Sequence, residues 1–168
     1  IDLCKKERFR EHGALSSLEN IHIKPEFDFF FSWVNQCLDE FRISRRYDCD
    51  SISLTSSWCN QYQAGSGDIH MPHKHSMSWY SGIYYLTDGA PTLFDDPVVH
   101  RSSAQIEVLR HNWQPLVDIP AKAGKLILFP SWLPHSTMRH IDMYDRWTIA
   151  FNTLPSGKVN YNLARDSI

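Results

Sequence analysis

From Tyr47 onward the chain is a succession of short β-rich runs separated by Gly, Pro, Asp and Ser, and this texture constrains the fold more than any other feature. The runs fall at 51–62, 78–86, 91–94, 106–109, 125–129, 147–153 and 158–163. Seven or eight strands with turn residues between them predict an all-β sandwich or barrel rather than βαβ units. Ahead of them, Phe27, Phe30, Phe31, Val34, Leu38 and Phe41 recur at helical spacing, with Pro25 near the start and the basic pair Arg45-Arg46 at the end. That pattern predicts one amphipathic helix whose phenylalanines pack on the sheet. Residues 1–24 are charge-rich and weakly patterned, as expected of a surface arm or lead-in helix. The expected organisation is a single domain over 1–168: a helical segment, 1–46, packed on a β-barrel core, 47–168.

One run has a clear division between its faces. In 146–152, Arg146, Thr148, Ala150 and Asn152 share one face and Trp147, Ile149 and Phe151 the other. Side chains alternate across a strand, so the bulky face packs while the polar face meets solvent or a wet barrel interior.

Composition narrows the function classes. The chain has 168 residues, 42% of them hydrophobic, which excludes a disordered chain and suffices for a sizeable core. With 17 Lys+Arg against 19 Asp+Glu the net charge is -2, so a dedicated polyanion binder, and nucleic acid as a partner, are not indicated. No apolar run reaches the ~18 residues of a membrane helix. The four cysteines, Cys4, Cys37, Cys49 and Cys59, form no C-x-x-C pair and read as reduced thiols of a cytoplasmic protein. No signal peptide is in view, and the first residue is Ile1 rather than Met. Oligomeric state leaves no mark in the sequence.

The histidines carry the chemistry. Three of the nine, His70, His73 and His75, crowd into Asp68-Ile69-His70-Met71-Pro72-His73-Lys74-His75, and His135 stands sixty residues beyond His75. On an extended segment an H-x-H pair places both imidazoles on one side, where they suit a single metal. Pro72 favours that extended approach. A third imidazole from a distant strand closes a facial set and leaves coordination positions open. By itself H-x-H more often marks surface histidines. On a regular strand His70 would point away from His73, and His140 is a lesser candidate for the distal ligand. His12, His22, His100 and His111 show no pairing pattern and read as surface or partly buried residues.

Order and spacing raise the set above an isolated motif. The chain resembles the double-stranded β-helix oxygenases that use Fe(II) and 2-oxoglutarate, and more narrowly a 2-oxoglutarate/Fe(II) oxygenase family found in bacteria and phages. The matching stretches are Trp58-Cys59-Asn60-Gln61-Tyr62, Pro72-His73-Lys74-His75, Ser81-Gly82-Ile83-Tyr84-Tyr85-Leu86, Leu126-Ile127-Leu128-Phe129-Pro130-Ser131-Trp132-Leu133-Pro134-His135 and Arg146-Trp147-Thr148-Ile149-Ala150-Phe151-Asn152.

The resemblance implies a mainly β fold with flanking helices, a jelly-roll or cupin-like barrel. It implies Fe(II), 2-oxoglutarate and O2, with His73, His75 and His135 as metal ligands. Arg146 and Thr148 match the pair that grips the far carboxylate of 2-oxoglutarate, and Tyr62 a tyrosine that helps to hold it. A guanidinium fork suits a carboxylate and stays charged at any working pH. The wider superfamily has a carboxylate where this chain has His75, and the narrower family tolerates histidine there. Asp68, Asp95 and Asp96 are the nearest carboxylates that could complete a triad instead, although Asp95-Asp96-Pro97 reads as a turn. The implied activity is a dioxygenase, most simply a hydroxylase that converts 2-oxoglutarate to succinate while oxidising a second substrate. That substrate — small molecule, protein or nucleobase — is not legible, because fold alone does not select it. Trp79, Tyr80, Trp113 and Trp132 are candidates to line its entrance or simply to pack. Two other readings remain at this point: a three-histidine cupin-type dioxygenase independent of 2-oxoglutarate, and a non-catalytic barrel whose histidines are incidental or hold structural zinc.

Overall fold

The computed structural model describes residues 1–11, 14–18, 20–95 and 117–161. His12, Asp96, His100, His111, Trp113 and the strand expected at 106–109 lie outside them, as does the end of the run expected at 158–163. Among the described residues there are nine strands: β1 (Phe9–Glu11), β2 (Leu15–Ser17), β3 (Cys49–Tyr62), β4 (Tyr80–Tyr85), β5 (Gly89–Phe94), β6 (Val117–Ala121), β7 (Leu126–Pro130), β8 (His135–Thr137) and β9 (Arg146–Val159). They form a six-stranded sheet in the order β1-β2-β3-β9-β4-β7 and a three-stranded sheet β6-β5-β8, with every recorded pairing antiparallel. A mainly β, two-sheet jelly roll with a flanking helix is the architecture the sequence leads one to expect.

The helix forms where the periodicity places it. Helix α1 (Asp28–Arg45) has acidic Asp28 in its first turn and basic Arg42 and Arg45 in its last, each complementing the helix dipole. It stops at Arg46, whose left-handed φ of 55° directs its N–H back to the carbonyls of Arg42 and Ile43. Phe31, Val34 and Leu38 are the residues it buries, and they join Cys59, Trp147, Ile149 and Phe151 in the core. No helix among the described residues is long and apolar enough to cross a membrane.

The division of faces along β9 is real and sets the plan of the molecule. Registers Ser57↔Phe151, Cys59↔Ile149 and Gln61↔Trp147 lie on the helix side. Trp58↔Ala150, Asn60↔Thr148 and Tyr62↔Arg146 lie on the opposite side, facing the smaller sheet. All four cysteines are free thiols.

The N-terminal segment differs from expectation. Residues 1–46 are not purely helical, because β1 and β2 form a hairpin that extends the large sheet through Leu15↔Gln61 and Ser16↔Asn60. Strands of three residues are too short to display a period, and the exposed edge of β3 recruits them. The two runs expected at 147–153 and 158–163 belong, as far as described, to one strand, since β9 continues through Gly157 to Val159.

Gly82 is fixed by packing. It stands opposite Phe151 on the helix side, and a Cβ there would lie 2.1 Å from the ring of that fully buried phenylalanine. Gly82→Ala should therefore destabilise the protein by about 2–3 kcal/mol or more, as overpacking of a close-packed core does. Chemical denaturation of the variant measures the loss, and an unchanged midpoint would contradict the packing described.

Candidate metal centre and anion pocket

Between the two sheets lies a cavity of about 580 Å³, lined by His70, His73 and His75, by Trp58, Asn60 and Tyr62 of β3, by Thr92 of β5, by His135 and Thr137 of β8, and by Arg146, Thr148 and Ala150 of β9. At one end the side chains of His73, His75 and His135 converge. One nitrogen from each lies within 4.8 Å of the other two, a spacing at which three imidazoles can hold one metal ion.

Two of these histidines are positioned by the same local device. His73 follows Pro72 and His135 follows Pro134, and each ring contacts the carbonyl of the residue before its proline. Nδ1 of His73 lies 2.8 Å from Met71 O and Nδ1 of His135 lies 3.0 Å from Leu133 O. A carbonyl only accepts, so both Nδ1 atoms carry the proton and both Nε2 atoms keep a free lone pair. Such an outer hydrogen bond orients a metal-binding imidazole. The two units also face each other, since His73 and His135 exchange backbone N–H···O bonds of 2.9 Å in both directions. His75 is placed through its N–H to Ser131 O at 3.0 Å and lies beside the ring of Trp58.

Burial keeps His75 and His135 neutral. It pushes His75 down to about 3, with the neighbouring histidines adding to the effect. It pushes His135 down to about 4, opposed by the Leu133 carbonyl. Neutral imidazole is the form that binds metal.

At the other end sits Arg146, only 1% exposed. Its guanidinium carbon lies 4.4 Å from the centre of the Tyr62 ring and 5.5 Å from that of Tyr85. Its stem passes Gly89, where φ is +145° and a Cβ would come within 3.2 Å of it. Burial raises both phenols, so neither tyrosine supplies a negative charge. Nε and Nη1 of Arg146 are buried and have no acceptor among the described residues. Thr148 stands on the same strand face, with its Oγ1 accepting from Asn60 Nδ2 at 3.3 Å.

The other sequence candidates fall elsewhere. His70 lies on an irregular segment rather than a regular strand, so it also lines the cavity instead of turning away, with Nδ1 2.8 Å from the Tyr62 hydroxyl. That contact places the Tyr62 phenol on His70 and the Tyr62 ring beneath Arg146. His140 is fully buried apart from the cluster, with Nε2 bonded to Tyr144 O at 2.7 Å. His22 is half-buried against Ser57. Asp68 accepts from the Gln63 N–H, and the Asp95 N–H is bonded to Pro134 O. Neither carboxylate joins the three imidazoles. Trp79 and Tyr80 pack with Tyr47, Trp132 is exposed, and among the described residues the tryptophan that lines the cavity is Trp58.

Residues 56–152 match the family described as "Putative 2OG-Fe(II) oxygenase". The chain belongs to that family. Membership implies Fe(II), 2-oxoglutarate and O2, and the donors present suit them: three convergent imidazoles for the metal, a buried guanidinium for a carboxylate. No curated protein matches the chain. Among solved structures it is similar to a 2OG-Fe(II) oxygenase family oxidoreductase from Burkholderia pseudomallei, at 10% identity and TM-score 0.66, covering 95% of this chain and 77% of that one. It is also similar to a prolyl-4-hydroxylase from Pseudomonas putida, at 14% identity and TM-score 0.58, over 86% and 74%. HygX from Streptomyces hygroscopicus, solved with nickel and 2-oxoglutarate bound, matches at 13% identity and TM-score 0.58, over 94% and 77%. At such identities the likeness is one of fold.

The depressed histidines have a consequence for stability. In the unfolded chain both return to about 6.5, so between about pH 6.5 and 4 the unfolded state binds more protons than the folded one. Stability of the metal-free protein should therefore fall as pH drops through that window, and be insensitive to these groups above it. Denaturant midpoints measured at pH 7.5 and 5 check this. A His75→Gln/His135→Gln variant should show the flatter dependence.

Proposed function

We propose that the protein is an Fe(II)- and 2-oxoglutarate-dependent dioxygenase that hydroxylates a second substrate while 2-oxoglutarate is converted to succinate. One observation carries the reading: a single cavity holds three convergent imidazoles at one end and a buried arginine with acceptor-free N–H groups at the other. His73, His75 and His135 would hold the metal, and Arg146 with Thr148 the far carboxylate of 2-oxoglutarate. When bound there, the metal and 2-oxoglutarate would supply the O2 chemistry, in which 2-oxoglutarate gives succinate and CO2.

The chain's own residues bind, orient and exclude water. Arg146 offers two N–H groups to a carboxylate in a fixed fork, which sets the direction of the cosubstrate as well as its affinity. Tyr62 and Tyr85 hold that fork by their ring faces and stay neutral, so they do not compete for it. The Pro-His units fix the tautomers that present Nε2 to the metal. Trp58 and Phe129 line the cavity and reduce its hydration. Hydroxylation as the reaction type draws support from the prolyl-4-hydroxylase among the structural neighbours.

Anaerobic addition of Fe(II) and then 2-oxoglutarate to the apo-protein should produce a weak visible charge-transfer band, and admission of O2 should yield succinate. No band and no succinate would overturn the reading. Replacing any one of His73, His75 or His135 with Ala should remove most of the iron affinity, whereas His140→Ala should not; near-normal iron binding by His135→Ala would sink the ligand assignment.

Arg146→Ala should leave iron binding nearly intact and weaken 2-oxoglutarate by ~2–5 kcal/mol, the cost of truncating a desolvated charge pair. That corresponds to roughly thirtyfold to several thousandfold in affinity. Arg146→Lys should recover only part, since an ammonium cannot make the fork. Collapse of iron binding in Arg146→Ala would instead make Arg146 a structural residue.

A further inference from the structure

Registers Ser16↔Asn60, Asn60↔Thr148 and Tyr85↔Thr148 run in one row across β2, β3, β9 and β4. Directly opposed residues of an antiparallel pair share a face. This row therefore crosses the cavity side of the sheet, beside Arg146. All four members are buried, at 7% exposure for Ser16, 4% for Asn60, 2% for Thr148 and 0% for Tyr85. Ser16, Asn60 and Thr148 form a directed chain: the Ser16 hydroxyl donates to Asn60 Oδ1 at 2.7 Å, and Asn60 Nδ2 donates to Thr148 Oγ1 at 3.3 Å.

We propose that Asn60 is a positioning residue for 2-oxoglutarate, setting the polarity of the Thr148 hydroxyl so that its proton points at the cosubstrate carboxylate beside Arg146. A hydroxyl has one proton and two lone pairs. With a lone pair occupied by the Asn60 amide, the proton is turned away from β3, and no acceptor among the described residues takes it. Three uncommitted donors, Arg146 Nε, Arg146 Nη1 and Thr148 Oγ1, then stand two residues apart on one strand face. With the amide reversed, the Thr148 proton would go to Asn60 Oδ1 and its lone pairs would be free to face the anion. Ser16, donating to Oδ1, closes the chain in the favourable sense. This proposal rests on the reading of Arg146 and Thr148 given above and adds a residue outside that pair.

The test is a double-mutant cycle read as 2-oxoglutarate affinity of the Fe(II)-loaded protein, measured anaerobically by calorimetry, with iron affinity and thermal midpoint as controls. Thr148→Val should weaken 2-oxoglutarate roughly tenfold, the usual scale for one hydrogen bond to a charged group. Asn60→Ala leaves the hydroxyl as a free rotor and should cost only roughly threefold. Asn60→Asp keeps the shape but makes both oxygens acceptors; it would capture the Thr148 proton, add a like charge, and cost on the order of a hundredfold. Adding Thr148→Val to Asn60→Asp should then cost little more. Iron affinity should be unchanged throughout.

Equal losses in Asn60→Ala and Asn60→Asp, or fully additive effects with Thr148→Val, would overturn the proposal while leaving the 2-oxoglutarate reading intact. Should Asn60→Asp fail to fold, the Asn60→Ala/Thr148→Val cycle decides: sub-additive losses support the proposal and additive ones overturn it. No 2-oxoglutarate binding by the unmutated protein would overturn both readings together.

Discussion

Strands β3 and β9 pair antiparallel from Cys49↔Val159 to Tyr62↔Arg146, and the period of two along them separates an apolar side from a wet one. The irregularities in this pairing lie between Cys49 and Ser51 and between Leu54 and Ser56. From Ser56 to Tyr62, where the cavity lies, the ladder is unbroken. A slip of one residue would exchange the faces. Arg146 would then enter the core with Phe31, Val34 and Leu38, and Trp147 would fill the cavity. Neither exchange is tolerable, because a charge without a partner in an apolar core costs several kcal/mol. The register is thus held by the chemistry of both sides at once, and helix, core and cavity all follow from it.

That constraint also accounts for the surroundings of the buried Arg146. Desolvation opposes a buried cation, and stacking on aromatic ring faces recovers part of the cost. Tyr62 and Tyr85 provide two such faces, and both phenols are held neutral by burial. The rest of the compensation falls to an anion. Elsewhere in the cavity His75 and His135 are held neutral, and imidazole ligands would leave a divalent metal its full charge. A metal on the three histidines and the Arg146 guanidinium would together favour a dianion in the cavity, where a monoanion would satisfy only one of them.

The helix and the two-faced strand were legible because each is a local pattern with a definite period, whereas the convergence of His73, His75 and His135 was legible from their order and spacing along the chain. The β1–β2 hairpin was not, since strands of three residues show no alternation and owe their existence to the edge of β3. The direction of His70 was misjudged for a related reason: 68–79 is irregular apart from the bridge at His73, so alternation does not apply there. Trp79 and Tyr80 could not be told from cavity residues without knowing that Tyr47 folds against them. Asn60 was missed although a signal existed. Pairing the Tyr62 end of β3 with the Arg146 end of β9 places Asn60 opposite Thr148, but that step needs the register as well as the strands.

The histidine cluster has a different origin from the surroundings of Arg146. His73 and His135 each depend on a proline and the carbonyl before it, within three consecutive residues, and then on each other through one backbone bridge. Their geometry is largely settled by the local chain, with long-range structure needed only to bring the two units together. His75 has no such clamp. Its ring rests beside Trp58, and its place is fixed by a backbone bond to Ser131. A ligand held by its backbone and one aromatic neighbour can change chemical type without disturbing the other two, as a carbonyl-clamped imidazole cannot. The one position at which this chain departs from the carboxylate of the wider superfamily is therefore the position where the architecture constrains side-chain identity least. With imidazole there, a metal held by the three histidines would carry one more unit of positive charge than at a carboxylate site, which would add to the preference for a dianion that the buried Arg146 guanidinium favours.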